Sequence, residues 1–207
     1  QVVYYFWAYC QLKKESVSFI VPSGNFGNVF SARVAKHMGL PIDRLHVVTN
    51  ENDILYRTIN MGDMKIHKVR KTYSPSMDIQ ISSNFERQLF ESTNKNSEEI
   101  IDIMEAFSEQ GQQTLSEKII QNLKLHYNAH SISNHETLET IQNFYEKYNY
   151  IADPHTATGL NVLEKLDDNK PLISLACAHP AKFRDAINKS IGKKFPIPAV
   201  PTVGTCF

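Results

Sequence analysis

The sequence predicts an α/β protein, an open and mostly parallel sheet flanked by helices, with a helical insertion in its middle. Three observations carry that expectation. Val17, Phe19, Ile20 and Val21 form a short β-branched and aromatic run that ends at Pro22, and a Gly/Asn turn leads from it into apolar positions at helical spacing. Leu45 to Val48 reads as a second strand, so strand, helix and strand succeed one another as a right-handed βαβ unit. Leu172 to Cys177, LISLAC, is a further apolar run whose composition predicts burial on both faces. The chain divides accordingly into an α/β, phosphate-binding part over 1–91, a helical insertion over 92–150, and an α/β part over 151–207 that completes the sheet.

In order, Gln1 to Glu15 reads as a helix that is apolar nearly all round, and is therefore expected to lie sandwiched between other elements, with the chain opening inside a fold. After the first strand, Ser23-Gly24-Asn25-Phe26-Gly27-Asn28 supplies two glycines that tolerate positive φ and two asparagines that tolerate left-handed geometry. A strand, such a turn and a helix N-terminus gather backbone N–H groups around one point with the positive end of a helix dipole behind them. That arrangement is a phosphate cradle, although Gly and Asn are also ordinary turn residues. It is neither of the glycine-rich fingerprints of nucleotide sites. Gly39 is placed to end the following helix.

Asn50, Asn52 and Asp53 follow the second strand at its carboxyl end, the edge where open α/β sheets bind ligands. The alternative is that Asp53 caps a helix running to Asn60. Gly62 to Ser83 reads as mostly loop, with extended pieces at Ile66 to Val69 and Asp78 to Ile81. Its basic residues Lys65, Lys68, Arg70 and Lys71 could meet an anionic substrate or lie solvated at the surface. From Asn84 to Tyr150 apolar residues recur at helical spacing, enough for about four helices. His126, His130 and His135 in this stretch are too loosely spaced to form a metal set.

Asp153-Pro154 then reads as an N-cap followed by proline at the first helical position, with Leu160, Val162 and Leu163 on one face. Cys177, His155 and His179 supply acid, base or donor chemistry near the end of the last strand, with capping as the alternative role of a histidine. A helix closes the segment at Ile191.

Composition is that of an ordinary globular protein, at 42% hydrophobic and 21% charged residues. With 22 basic and 22 acidic residues there is no basic field to attract nucleic acid or an anionic membrane. The cysteines, Cys10, Cys177 and Cys206, are too few and scattered for a disulfide framework, so a reducing, cytoplasmic location is the simplest expectation. The apolar run Gln1 to Cys10 is about half of the roughly 20 residues that span a bilayer.

The strings PSGNFGN, GLPIDRLHVVTNENDIL, PSMDIQISSNFERQLFE, DPHTATG and AHPAKFRDAI, in this order, resemble the threonine synthases, which are fold type II pyridoxal-phosphate enzymes. The likeness runs from Gln1 to about Phe195 and is weakest between Ser92 and Tyr150. It implies the large domain of a fold type II enzyme, in part, and conversion of O-phospho-L-homoserine and water to L-threonine and phosphate. It implies pyridoxal 5'-phosphate as cofactor, its phosphate held by Ser23, Gly24, Asn25, Phe26, Gly27 and Asn28. A hydroxyl residue before the Ala-His-Pro-Ala-Lys-Phe string faces the pyridine nitrogen in the family. Here that position is Cys177, where threonine is usual and a thiol is the weaker donor.

Asn50, Asp53, His155, His179 and Lys182 are the candidates for holding the substrate. The family's Schiff-base lysine lies in an amino-terminal half, and no lysine here occupies a matching position. The chain is therefore expected to be a carboxyl-terminal part, inactive alone, whose partners are the substrate and that missing half. The alternative is a non-catalytic remnant that binds pyridoxal phosphate, phosphate or a partner.

Overall fold

The computed structural model of the protein describes residues 1–12, 14–166 and 170–194. Cys206 and the rest of 195–207 lie outside the described residues. Helix α1 (Val2–Leu12) leads into strand β1 (Val17–Pro22), helix α2 (Gly27–His37), strand β2 (Ile42–Thr49) and helix α3 (Ile54–Met61). After a long loop with one 3-10 turn at Pro75–Met77 come α4 (Phe85–Ser92), α5 (Ser97–Gln110), α6 (Glu117–His126), β3 (Tyr127–Ser131) and α7 (Asn134–Tyr148). The described chain closes with α8 (Pro154–Lys165), β4 (Leu172–Ser174), a 3-10 turn at Pro180–Phe183 and α9 (Arg184–Ile191).

The sheet has the order β3-β2-β1-β4 and every pairing is parallel. β1 lies inside it, with all six residues buried, which is why its sequence reads as a continuous apolar run rather than an alternation. Strand period two still sorts its side chains. Val17, Phe19 and Val21 join the large cluster under α1 to α6, whereas Ile20 packs with Val48, Ile132 and Val162 beneath α8. Helices thus cover both faces, and every βα connection delivers its turn to the same carboxyl edge. α8 lies close on the sheet because of Gly159. A Cβ there would stand 2.6 Å from Ser174 Oγ and 3.0 Å from Pro22 Cγ.

Side chains set several helix starts. Asn96, Ser116 and Ser133 accept from the N–H three residues on, and Ser133 with Glu136 completes a capping box at α7. Asp53 stands at the N-cap position of α3, but its side chain caps nothing.

Four local expectations are corrected. α1 forms but is not sandwiched, since Tyr5 is its one buried residue while Val3, Tyr4 and Trp7 are 73%, 62% and 66% exposed. The stretch 92–150 is not wholly helical, because β3 within it pairs with β2 from Leu45 opposite Tyr127 to Thr49 opposite Ser131. Ile66 to Val69 and Asp78 to Ile81 form no strand; the loop is held by polar contacts instead. The last strand covers only Leu172–Ser174 and is half-buried, because within the described sheet β1 is its one neighbour.

Candidate active site

Two turns leave the carboxyl edge of the sheet side by side. In the first, between β1 and α2, the Ser23 N–H donates to Val48 O at 2.8 Å and extends the strand pairing by one rung. Ser23 Oγ then accepts the Phe26 N–H at 3.1 Å. Phe26 adopts the left-handed conformation, φ 63°, and caps α2. The glycines were expected to carry that geometry, yet neither Gly24 nor Gly27 has positive φ. A left-handed non-glycine residue costs about 1–2 kcal/mol. The Phe26 ring offsets it by full burial, edge-on to Phe85 and Tyr127 with centroids 4.9 and 5.5 Å apart.

Gly24 is required for close approach. A Cβ would lie 3.0 Å from Met77 Cα, 3.1 Å from Ile79 Cδ1 and 3.3 Å from Ser76 O. The asparagine side chains are engaged with the protein, since Asn25 Oδ1 accepts from Ser83 Oγ at 2.8 Å and Asn28 Oδ1 from the Tyr5 hydroxyl at 2.8 Å. What remains for a ligand is the backbone, together with the side-chain amide nitrogens of Asn25 and Asn28. The amides of Gly27, Asn28 and Val29 open α2 and have no carbonyl four residues back within the helix. They stand at its positive end, and those of Gly27 and Asn28 lie beside a cavity of about 280 Å³ that Ser23 to Asn28 share with Ser76, Met77, His155 and Cys177. Among the described residues no lysine lines it.

The far wall of this cavity is organised by Asp153, which is 1% exposed. Asp153 Oδ1 accepts the His155 N–H and the His155 Nδ1–H, both at 2.9 Å. Oδ2 accepts the Thr156 hydroxyl and the Ala178 N–H, the latter at 3.1 Å. Burial works to raise the carboxyl, but the hydrogen bonds from His155 and Thr156 outweigh it and hold the group below the usual carboxylate range. Thr156 Oγ1 in turn accepts the Cys177 N–H at 2.8 Å. On the other side, the Ser76 N–H donates to His155 Nε2 at 3.1 Å, so His155 carries its proton on Nδ1.

The second turn, between β2 and α3, has the same residue types and a different outcome. Asn50 is 2% exposed, and its amide nitrogen lies 2.8 Å from Thr72 Oγ1, 3.0 Å from Ser74 Oγ and 2.9 Å from Asp78 Oδ1. Its carbonyl accepts the Asn52 N–H at 2.9 Å. Asp53 pairs with Arg57 at 2.9 Å and borders a separate groove with Arg70. Arg57 also meets Asp63 at 2.6 Å and Lys65 O at 2.7 Å, which anchors the start of the long loop after α3.

Of the five substrate candidates, then, His155 alone lines the cavity of the cradle. Asn50 is turned into the protein. His179 Nδ1 accepts the Ala181 N–H at 3.2 Å and caps a 3-10 turn, and Lys182 lines another groove with Tyr73 and Asp185. Cys177 does share the cavity with the cradle. Sequence reasoning missed Asp153 and Thr156 as organisers, and Ser76 and Met77 as wall. The first two stand within DPHTATG and the last two within PSMDIQISSNFERQLFE, where only their helix or loop character was read. Among the described residues no three His, Cys, Asp or Glu side chains are grouped to hold a metal, and no helix is long and apolar enough to cross a membrane.

The open parallel sheet with this turn at its carboxyl edge is the fold of the type II pyridoxal-phosphate enzymes, as in its solved neighbours. A family model described as "Threonine synthase, C-terminal" matches residues 156–202. A pyridoxal-phosphate-bound threonine synthase from Brucella melitensis superposes with TM-score 0.92 at 44% identity over 96% of this chain and 43% of that one. The yeast threonine synthase structure gives TM-score 0.88 at 38% identity over 92% of this chain and 42% of its own. Threonine synthase of Pseudomonas aeruginosa is 37% identical over 96% of the chain and 44% of its own length. The chain belongs to the threonine synthase family, and it spans less than half the length of the relatives it matches.

Proposed function

We propose that this chain is the carboxyl-terminal part of a threonine synthase that converts O-phospho-L-homoserine and water to L-threonine and phosphate. The observation that carries the reading is the cavity at the β1–α2 turn. There, first-turn amides stand beside a cavity whose wall is closed by Ser76 and Met77, which pack against Gly24 where a side chain would collide. These residues fit a phosphorylated aromatic cofactor, and a bound counterpart is described for the Brucella relative. When bound, pyridoxal phosphate supplies the electron sink that makes protons near an amino-acid α-carbon removable.

The chain's own share is to hold. Gly27 and Asn28 offer amides to the phosphate, Phe26 locks them in place, and Cys177 borders the ring space. With no lysine lining the cavity among the described residues, and with the chain matching less than half of its relatives' length, the group that bonds the cofactor and moves protons is assigned to the part of those relatives that the chain does not match. His155 is assigned to the wall rather than to proton transfer, because both ring nitrogens are engaged. The phosphate of the substrate is left to residues beyond the cradle, with Lys182 the candidate that still has an open ammonium side. The parts 1–91, 92–150 and 151–207 are kept as units of sequence rather than of independent folding.

The test mixes the purified chain with pyridoxal phosphate, alone and with a separately made amino-terminal part, and follows phosphate release from O-phospho-L-homoserine. Activity in the mixture alone is the expected result. Turnover by the 207 residues alone would overturn the placement of the lysine. Absence of turnover in a mixture whose chain is folded would favour a non-catalytic protein that binds pyridoxal phosphate, phosphate or a partner.

A further inference from the structure

Asp153 serves two walls of one cavity. Through Thr156 and directly through the Ala178 N–H it fixes the backbone at Cys177 and Ala178. Through the His155 ring it fixes the Ser76 N–H, on the turn that closes against Gly24. The two walled segments come from distant parts of the chain, and neither is joined to the other by strand pairing. A helix cap needs one acceptor for one or two amides. This carboxylate instead accepts four donors, with both oxygens used twice. Phe183 packs against the His155 ring at 4.8 Å between centroids and holds it from the solvent side.

We propose that Asp153, acting through Thr156 and His155, is a positioning residue that sets the spacing between the Cys177 wall and the phosphate cradle, and thereby selects a ligand with an aromatic ring attached to its phosphate. The inference rests on the cofactor reading above, and it assigns to DPHTATG a task beyond starting a helix. A phosphate alone needs the cradle amides. A ring attached to that phosphate also needs the opposite wall at the right distance, and that wall has no strand to hold it, since β4 ends at Ser174. Removing the Thr156 hydroxyl leaves the Cys177 N–H without its acceptor and takes one donor from Asp153, while the Ser23 to Asn28 turn keeps all its contacts.

The experiment titrates the 207-residue chain with pyridoxal phosphate and, separately, with inorganic phosphate. It compares wild type with Thr156→Val, Thr156→Ser and Asp153→Asn, and records the visible absorption band of the bound cofactor. Thr156→Val, nearly the same size as threonine, is expected to weaken pyridoxal phosphate roughly tenfold, the equivalent of one lost hydrogen bond of about 1.4 kcal/mol, and to shift the band. Its affinity for inorganic phosphate should stay within about twofold. Thr156→Ser restores the hydroxyl and should restore both affinity and band. Equal loss for both ligands, no loss for either, or failure of the serine variant to rescue would overturn the proposal while leaving the cradle standing. If Asp153→Asn fails to fold, the threonine pair carries the test unchanged. A wild-type chain that binds neither ligand would remove the cradle reading itself, and this inference with it.

Discussion

The two turns at the carboxyl edge, Ser23 to Asn28 after β1 and Asn50 to Asp53 after β2, begin as equals. Each follows a buried parallel strand, each is rich in Asn, and each opens a helix. The first engages its asparagine Oδ1 atoms with the protein and lines a cavity from Ser23 to Asn28. The second folds its side chains inward, where Asn50 and Asn52 tie β2 to Thr72, Ser74 and Asp78. The two turns thus differ in which polar groups are spent on the protein, and residue type alone does not reveal that.

The comparison can be broken by substitution. Phe26→Ala should have the largest effect, about 3–5 kcal/mol lost in denaturant unfolding, because it empties a fully buried site and frees a left-handed residue. A loss below about 1 kcal/mol would mean that the ring does not hold the turn. Asn50→Ala should cost about 3 kcal/mol, since it strips partners from buried Thr72 and Ser74 and from Asp78. Its folded fraction should still bind pyridoxal phosphate normally. Loss of binding in a folded Asn50→Ala chain would make the second turn part of the site and erase the distinction.

Gly24→Ala should reverse that pattern, with a stability loss of about 2 kcal/mol from contacts near 3.0 Å and a fall in cofactor binding out of proportion to it. The smallest effect is expected far from both turns, at the α7 capping box. There the Ser133 backbone, then Lys165, draws the Glu136 carboxyl from 4.5 down to about 2. A depressed pKa contributes stability that is present above the unfolded value and lost as pH falls through the folded one. The thermal midpoint of wild type should therefore gain on that of Glu136→Gln above pH 4.5 and lose the advantage toward about 2. A constant difference across that window would remove the ionised carboxylate as its cause.

Much of the fold was legible because its signals are local. β1, α2 and α8 carry apolar runs, a turn or an Asp-Pro start, and each forms where its pattern predicts. β3 was not legible. Tyr127-Asn128-Ala129-His130-Ser131 directly follows a helix, has one neighbour in the described sheet and alternates buried with open residues, so no apolar run announces it. α1 misled in the opposite direction, because an all-round apolar composition states that a helix can be covered without naming what covers it. The cradle was legible as a turn before a helix. Its left-handed residue was misassigned because the buried pocket that anchors Phe26 is made by Phe85 and Tyr127, both remote in sequence.

By itself the sequence determined the parallel βα order, the position of the Gly/Asn turn and the family whose strings it carries. These rest on periodicity, turn chemistry and adjacent residues, which act over a few positions of the chain. Only the tertiary structure decided that Phe26 bears the strain, that Asn50 is spent on the protein, and that Asp153 joins Ser76 to Cys177. Those outcomes depend on which donors and acceptors meet across long separations. A polar group becomes structural or available only once folding has fixed its neighbours.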